Sequence, residues 1–245
     1  MSIRPLPVLE ALVLAAGNGD RFQDHAGRSK LIHPIDGVPL IARTLRAAVA
    51  AGMKTIHIVV GYDEAEVSGV VRETAPAGTR VLFHRNDAWR LENGLSVLAA
   101  REALHRRPFA ILMGDHLFDA GTLRRVSDHH RAPGEVLLAI DRRLDDPITV
   151  AEATKVRTDE GRVIEIGKDL TSFDALDTGL FVADERLFPA LEAACAAGDS
   201  TLTAGIRRLA LEGAVRGVDI AGARWFDIDT RADLERAREA ITTLQ

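Results

Sequence analysis

The segment Leu14-Ala15-Ala16-Gly17-Asn18-Gly19-Asp20-Arg21-Phe22 sets two glycines one residue apart directly behind an apolar run, and Lys30 follows downstream. Glycines at that spacing let consecutive backbone N–H groups approach a ligand closely, which makes an anion-binding nest suited to phosphates. Arg21 and Lys30 are then placed to neutralise a polyphosphate. The pattern is neither Gly-x-Gly-x-x-Gly nor Walker A, which argues against a dinucleotide site and a P-loop ATPase. Asp20 sets an acid beside the loop, where it can cap the following turn.

Carboxylates recur at two further places. Asp115 stands in Met113-Gly114-Asp115-His116, behind another apolar run. A hard carboxylate there suits Mg²⁺, which takes one or two protein oxygens and leaves its other positions to phosphate and water; helix capping is the plainer alternative. Trp225-Phe226-Asp227-Ile228-Asp229-Thr230 supplies two more acids. Spaced by two on a strand, Asp227 and Asp229 share a face, so one can bind metal while the other positions it or caps the next helix. The pattern leaves open which does which.

Between these stretches, Asn86, Asn93 and Ser96 carry side chains able to hydrogen-bond a base edge, and Gly94 would let a base approach the backbone. On the far side, Lys155 in Glu152-Ala153-Thr154-Lys155-Val156 and Lys168 in Ile166-Gly167-Lys168-Asp169-Leu170 fall on two arms of a predicted hairpin. Two such lysines could clamp a phosphomonoester, while Asp177, in Asp177-Thr178-Gly179-Leu180-Phe181, could accept from hydroxyls of a polyol. Lysine occurs only at 30, 54, 155 and 168, so 27 of the 31 basic residues are arginine and three of the four lysines lie in these motifs. A lysine is a compact point charge matched to a single phosphate oxygen. His116, His129 and His130 are assigned no catalytic role.

Strands and helices must alternate to position these groups. Apolar runs at Val8 to Leu14, Thr55 to Val60, Thr79 to His84 and Phe109 to Met113 read as strands, separated by helical patterns at Pro39 to Ala51, Asp63 to Glu73 and Leu95 to His105. That rhythm predicts a parallel sheet with ligands outside the strands' carboxyl ends. From Glu135 onward β-type runs dominate: Val136 to Ile140, Ala153 to Thr158, Arg162 to Ile166 and Thr178 to Val182, with a turn at Asp159-Glu160-Gly161. Helices at Glu185 to Ala197 and Leu202 to Leu211, strands at Val215 to Ile220 and Arg224 to Ile228, and a last helix from Ala232 capped by Thr230 complete the chain. The expected fold is α/β, a Rossmann-like, mostly parallel sheet with helices on both faces and a small β insertion on the acceptor side. No linker or repeat interrupts residues 1–245, which predicts one domain.

Bulk properties agree. Net charge is −5 with 27% charged residues, ordinary globular usage that lacks the basic footprint of a nucleic-acid binder. The single cysteine, Cys195, reads as a buried, inert thiol, and the broken apolar N-terminus fits neither a signal peptide nor a membrane span, which together point to the cytoplasm.

Taken in order, LAAGNGDRF, ENGLSV, MGDH, EATKV, IGKDL, DTGLF and WFDIDT resemble the CTP:inositol-1-phosphate cytidylyltransferases, within the nucleotidyltransferase superfamily, over nearly the whole chain. The resemblance implies Mg²⁺-dependent transfer of CMP from CTP to a small phosphorylated polyol. It implies that Leu14, Ala15, Ala16, Gly17, Gly19, Arg21 and Lys30 surround the nucleotide, with Asn86, Asn93, Gly94 and Ser96 near the base. Asp115 with Asp227 or Asp229 would hold Mg²⁺, and Lys155, Lys168, Asp177 and Gly179 would face the acceptor beside Asp115. Some family members are fused to a membrane-embedded synthase that consumes CDP-inositol; any such partner is expected to be a separate enzyme here. Rival readings keep the chemistry but change the acceptor to a sugar, another cyclitol or choline phosphate, or make the chain a molybdenum-cofactor cytidylyltransferase. A GT-A-type glycosyltransferase is the rival of a different class.

Overall fold

A computed structural model of the protein describes residues 7–22, 27–104 and 107–242. The first half runs β1 (Glu10–Ala15), β2 (Pro34–Ile35), β3 (Val38–Pro39), α1 (Leu40–Ala50), β4 (Thr55–Val60), α2 (Glu64–Thr74), β5 (Arg80–Arg85), α3 (Gly94–Ala99), α4 (Arg101–Leu104) and β6 (Phe109–Met113). Then come β7 (His116–Phe118), α5 (Ala120–Ser127), β8 (Val136–Asp141), α6 (Pro147–Glu152), β9 (Lys155–Asp159), β10 (Arg162–Gly167) and β11 (Ala175–Ala183). The chain closes with α7 (Leu187–Ala196), α8 (Leu202–Leu211), β12 (Val215–Asp219), β13 (Trp225–Asp227) and α9 (Arg231–Thr242).

Nine strands form one sheet in the order β5-β4-β1-β6-β11-β8-β12-β10-β9. Because the apolar runs are continuous, alternate residues are buried on opposite faces. Ala11 and Val13 of β1 join Ile56 and Ile58 of β4 on the side covered by α1, α2 and α5. Leu12 faces the other way with Phe109, Ile111, Leu138 and Ile140, beneath α3, α7 and α8. The α/β class with helices on both faces is therefore as expected, and β5, β4, β1 and β6 run parallel. Beyond β6 the sheet is mixed, since β11 runs antiparallel to both β6 and β8. The β9–β10 hairpin expected as an insertion is the far edge of this same sheet.

Three local departures matter. The helix expected over Leu95 to His105 breaks at Ala100 into α3 and α4, and His105 lies outside the described residues. The expected Arg224 to Ile228 strand ends at Asp227, and pairs not with the large sheet but with β7. Cys195 is only half-buried.

Two histidines couple β4 to β5. His57 Nδ1 lies 2.8 Å from His84 Nε2, and burial with the nearby Arg80 charge pushes the His57 imidazole down to about 4. Glu10 Oε2 stands 3.4 Å from His57 Nε2, in a geometry that makes no hydrogen bond. A histidine whose folded pKa is depressed leaves the unfolded chain binding more protons as pH falls below the ordinary value of about 6.5. Stability contributed by His57 is therefore complete above that pH and is lost as pH falls toward 4, by up to about 3 kcal/mol. Urea unfolding of wild type and His57→Gln from pH 7 to 4.5 measures it; parallel curves would mean that His57 titrates normally.

Candidate active site

The loops behind β1 and β6 meet at the carboxyl edge of the sheet. Gly114 N–H donates to Leu14 O at 2.9 Å, and a Cβ at Gly114 would lie 2.8 Å from that oxygen, so only glycine permits this approach. Beside it lies a cavity of about 450 Å³ bordered by Leu14, Ala15, Gly17, Gly19, Arg21 and Lys30, together with Asp115 and Asp229. Gly19 adopts φ +63°, and the Lys30 stem packs against the space its missing side chain leaves. Ala16 sits behind the cavity, its carbonyl accepting from Tyr62 N–H. Asp20 accepts from Asn18 Nδ2 at 2.6 Å and remains exposed.

Lys30 is buried between two carboxylates, Asp115 Oδ2 at 2.7 Å and Asp229 Oδ1 at 2.9 Å. Burial disfavours its charge, but these two neighbours more than compensate and hold the ammonium above its ordinary pKa. Asp229 Oδ2 also pairs with Arg21 Nη2 at 2.5 Å. Burial would raise the Asp115 carboxyl; the Lys30 charge and the His116 hydrogen bond instead hold it well below the usual range.

Asp227 faces elsewhere. In the β7–β13 ribbon it pairs in register with His116, and the ladder continues through Ile228 N–H to Asp115 O at 3.1 Å. This corrects the expectation that Asp227 and Asp229 share a strand face: the strand stops between them, so Asp229 turns to Lys30 and Arg21 while Asp227 turns to His116. His116 Nδ1 lies 3.0 Å from Asp115 Oδ1 and 3.6 Å from Asp227 Oδ1. Burial opposes its charge, yet Asp227 and the hydrogen bond to Asp115 push the imidazole up to about 9. Burial pushes the Asp227 carboxyl up to about 6, His116 opposing and Asp115 and Asp229 adding to the shift. One ligand atom from each of Asp115, His116 and Asp227 lies within 4.8 Å of the others, and Asp227 Oδ1 is buried without a hydrogen-bond partner. Sequence reasoning set His116 aside, although its place beside Asp115 was the available signal.

A second cavity, about 150 Å³, opens on the other side of His116 and Asp227, bordered also by Thr154, Lys168, Asp177, Gly179 and Trp225. The β11 register breaks between Asp177 and Phe181, and this irregularity turns Asp177 into the cavity. Burial pushes its carboxyl up to about 6, against the hydrogen bond from Gly179 N–H. Gly179 has φ +79°, and a Cβ there would come within 2.7 Å of the His116 ring, so this glycine makes room for the histidine. Trp225 stacks on His116 with centroids 5.9 Å apart, and Asp141, itself gripped by Arg143, anchors its Nε1 at 3.0 Å. Of the two lysines expected to clamp a phosphate, Lys168 borders this cavity. Lys155 pairs in register with Gly167 rather than Lys168, does not border the cavity, and donates to Ala151 O at 3.3 Å.

The side chains expected to read a base have partners within the protein. Asn86 Nδ2 donates to Ser96 Oγ at 3.0 Å, and both are buried. A Cβ at Gly94 would lie 2.4 Å from Ser200 O, so its bareness serves the approach of that loop rather than of a base. Asn93 Oδ1 accepts from Leu202 N–H at 2.8 Å, and the residue borders the smaller cavity. None of the four borders the glycine-loop cavity.

Known proteins are similar to this chain. A curated relative from Rubrobacter xylanophilus, a bifunctional IPC transferase and DIPP synthase, is 37% identical over 236 residues, 94% of this chain and 51% of its own length. The Archaeoglobus fulgidus protein of the same name is 30% identical over 97% of this chain and 45% of its own. The chain thus spans about half the length of these relatives. The solved inositol-1-phosphate CTP transferase from T. maritima superposes with a TM-score of 0.84 at 25% identity, over 97% of this chain and 96% of that one. These likenesses agree with the resemblance read from the motifs. The family model described as a MobA-like NTP transferase domain matches residues 11–213, and the chain, a nucleotidyltransferase, belongs to that family.

Proposed function

We propose that the protein transfers CMP from CTP to inositol 1-phosphate, giving CDP-inositol and pyrophosphate, with Mg²⁺ as the required cation. The observation that carries this reading is the abutment of two cavities across Asp115, His116 and Asp227: one amide-rich with Arg21 and Lys30, the other with Lys168 and Asp177. The T. maritima transferase, similar over nearly the full length of both chains, supports the choice of substrates.

Two carboxylates and an unpartnered buried oxygen suit a hard divalent cation, for which Asp115 and Asp227 are the fitting ligands. Nitrogen is a poor Mg²⁺ donor, so His116 serves as the partner that orients both carboxylates. When bound, the cation offsets phosphate charge and withdraws electrons from phosphorus. The amides behind Gly17 and Gly19, with Arg21 and Lys30, bind the triphosphate. An acceptor phosphate oxygen forms a bond to the α-phosphorus as the bond to the bridging oxygen breaks, and the electron pair leaves with pyrophosphate. Lys30 stabilises charge developing there, while Lys168 aligns the incoming phosphate and Asp177 accepts from ring hydroxyls. We place this reaction in the cytoplasm and assign the product to a synthase-type activity.

Pyrophosphate release with Mg²⁺, each of four NTPs, and inositol 1-phosphate, glucose 1-phosphate or phosphocholine decides the reading. Turnover on a sugar phosphate with none on inositol 1-phosphate would sink the acceptor assignment. Product formation from a nucleotide sugar without pyrophosphate would favour a glycosyltransferase. Lys168→Ala is expected to raise the acceptor KM by about tenfold or more at saturating CTP, because a charge-assisted contact is lost. Lys155→Ala, outside the cavity, should change it little; the reverse ranking would restore Lys155 to the acceptor site.

A further inference from the structure

Resting on the reading that the smaller cavity takes the acceptor phosphate, we infer that Trp225 is the wall that limits this cavity to a single-ring acceptor. Asp141 and Arg143 are the positioning residues that hold the wall in place.

A third cavity, of about 360 Å³, lies behind Trp225, with Asp145, Asp146, Thr149, Arg224 and Arg236 on its border. It shares with the smaller cavity an edge made of Glu152, Ala153, Trp225 and Asp227. Ala153 ends at Cβ and Glu152 is exposed, so the indole, the largest of these side chains, makes the main partition. Beyond it the lining is mostly polar and charged, which suits hydroxyls. An acceptor with a second sugar ring would need that space, and the indole stands in the way.

A wall discriminates by clash only if it cannot turn aside. Strand β13 pairs with β7 and not with the large sheet, so side chains fasten Trp225 to that sheet. Its Nε1 donates to Asp141 Oδ2 at 3.0 Å. Asp141, the last residue of β8, is 4% exposed, and Arg143 donates to both of its oxygens, from Nε at 3.0 Å and from Nη2 at 2.7 Å. The same Nη2 reaches Ala223 O at 2.6 Å, two residues before the tryptophan. The β7 rings of His116 and Phe118 stack on the indole, with centroids at 5.9 and 6.5 Å. Asp141 borders the larger cavity but not the smaller one, so its effect on the acceptor passes through Trp225.

The test is pyrophosphate release at saturating Mg²⁺ and CTP, from inositol 1-phosphate and from inositol 1-phosphates carrying one glucosyl group at each ring hydroxyl in turn. Wild type is expected to use the first and reject the rest. Trp225→Ala should raise kcat/KM for at least one glucosylated acceptor by about tenfold or more, with the KM for CTP within about threefold as the mark of an intact fold. Trp225→Phe loses the Nε1–H and Asp141→Leu loses its acceptor oxygen; each should raise the KM for inositol 1-phosphate by about fivefold with kcat little changed. Because both act through one hydrogen bond, the double variant should be no worse than either alone. Additive losses would remove Asp141 as a positioning residue. A Trp225→Ala protein with normal CTP KM that gains no glucosylated acceptor would overturn the wall, as would a wild type that uses those acceptors as well as inositol 1-phosphate. Wild type inactive on inositol 1-phosphate would overturn the acceptor reading and this inference together.

Discussion

Asp115→Asn is expected to lower kcat by about a thousandfold while the protein remains folded, because one of the carboxylates proposed to hold the cation that offsets phosphate charge is lost. The fold should survive because Lys30, the group most exposed to the loss, keeps Asp229 at 2.9 Å. Asp115 itself protrudes beyond β6, while the apolar residues of that strand, not the carboxylate, hold it in the sheet. Pyrophosphate release, measured alongside thermal melting, separates the two effects. Undiminished Mg²⁺-dependent turnover would remove Asp115 from the site.

Lys30→Met has a different signature, since it strikes stability and activity together. Deleting the ammonium leaves Asp115, Asp227 and Asp229 close to one another with only His116 and the exposed Arg21 to oppose them. Removing one partner from a buried ion pair costs about 3–5 kcal/mol, much of it for the uncompensated charge left behind. A lower urea midpoint is expected, together with turnover near background. Mg²⁺ should raise the melting temperature of the variant more than that of wild type, because the cation supplies the missing positive charge. Lys30→Arg should not restore activity: a planar fork cannot occupy the narrow place between two carboxylates where a point charge sits. A variant as stable as wild type would mean that the three acids do not sense one another through Lys30.

The glycine loop and Asp115 were visible because each directly follows an apolar strand, and local pattern suffices to place a loop at a strand's carboxyl end. Strands β4 and β6 and helix α8 fall on the expected residues for the same reason. The Thr230–Asp233 cap, equally local, also formed as expected. Base-edge assignments lie farther from local pattern. Asn86, Ser96 and Gly94 carry the right chemistry for a ligand, but the same donors and the same bareness serve a neighbouring side chain and the loop at Ser200.

The amino-acid sequence by itself determined the sheet's apolar strands, the glycine-rich loop and the inventory of charges, because periodicity and glycine spacing act over a few residues. Only the tertiary structure decided which acid meets which cation. Asp229 reaches Lys30 across 199 positions, and Asp227 meets His116 through the register of a two-stranded ribbon whose three paired positions adjoin no common segment. A side chain's direction reverses with each residue along a strand, so ending β13 at Asp227 instead of continuing it to Asp229 was enough to send two acids of one motif to separate tasks. The β11 irregularity did the same for Asp177 and Gly179, bringing a carboxyl to the smaller cavity and clearing space for His116.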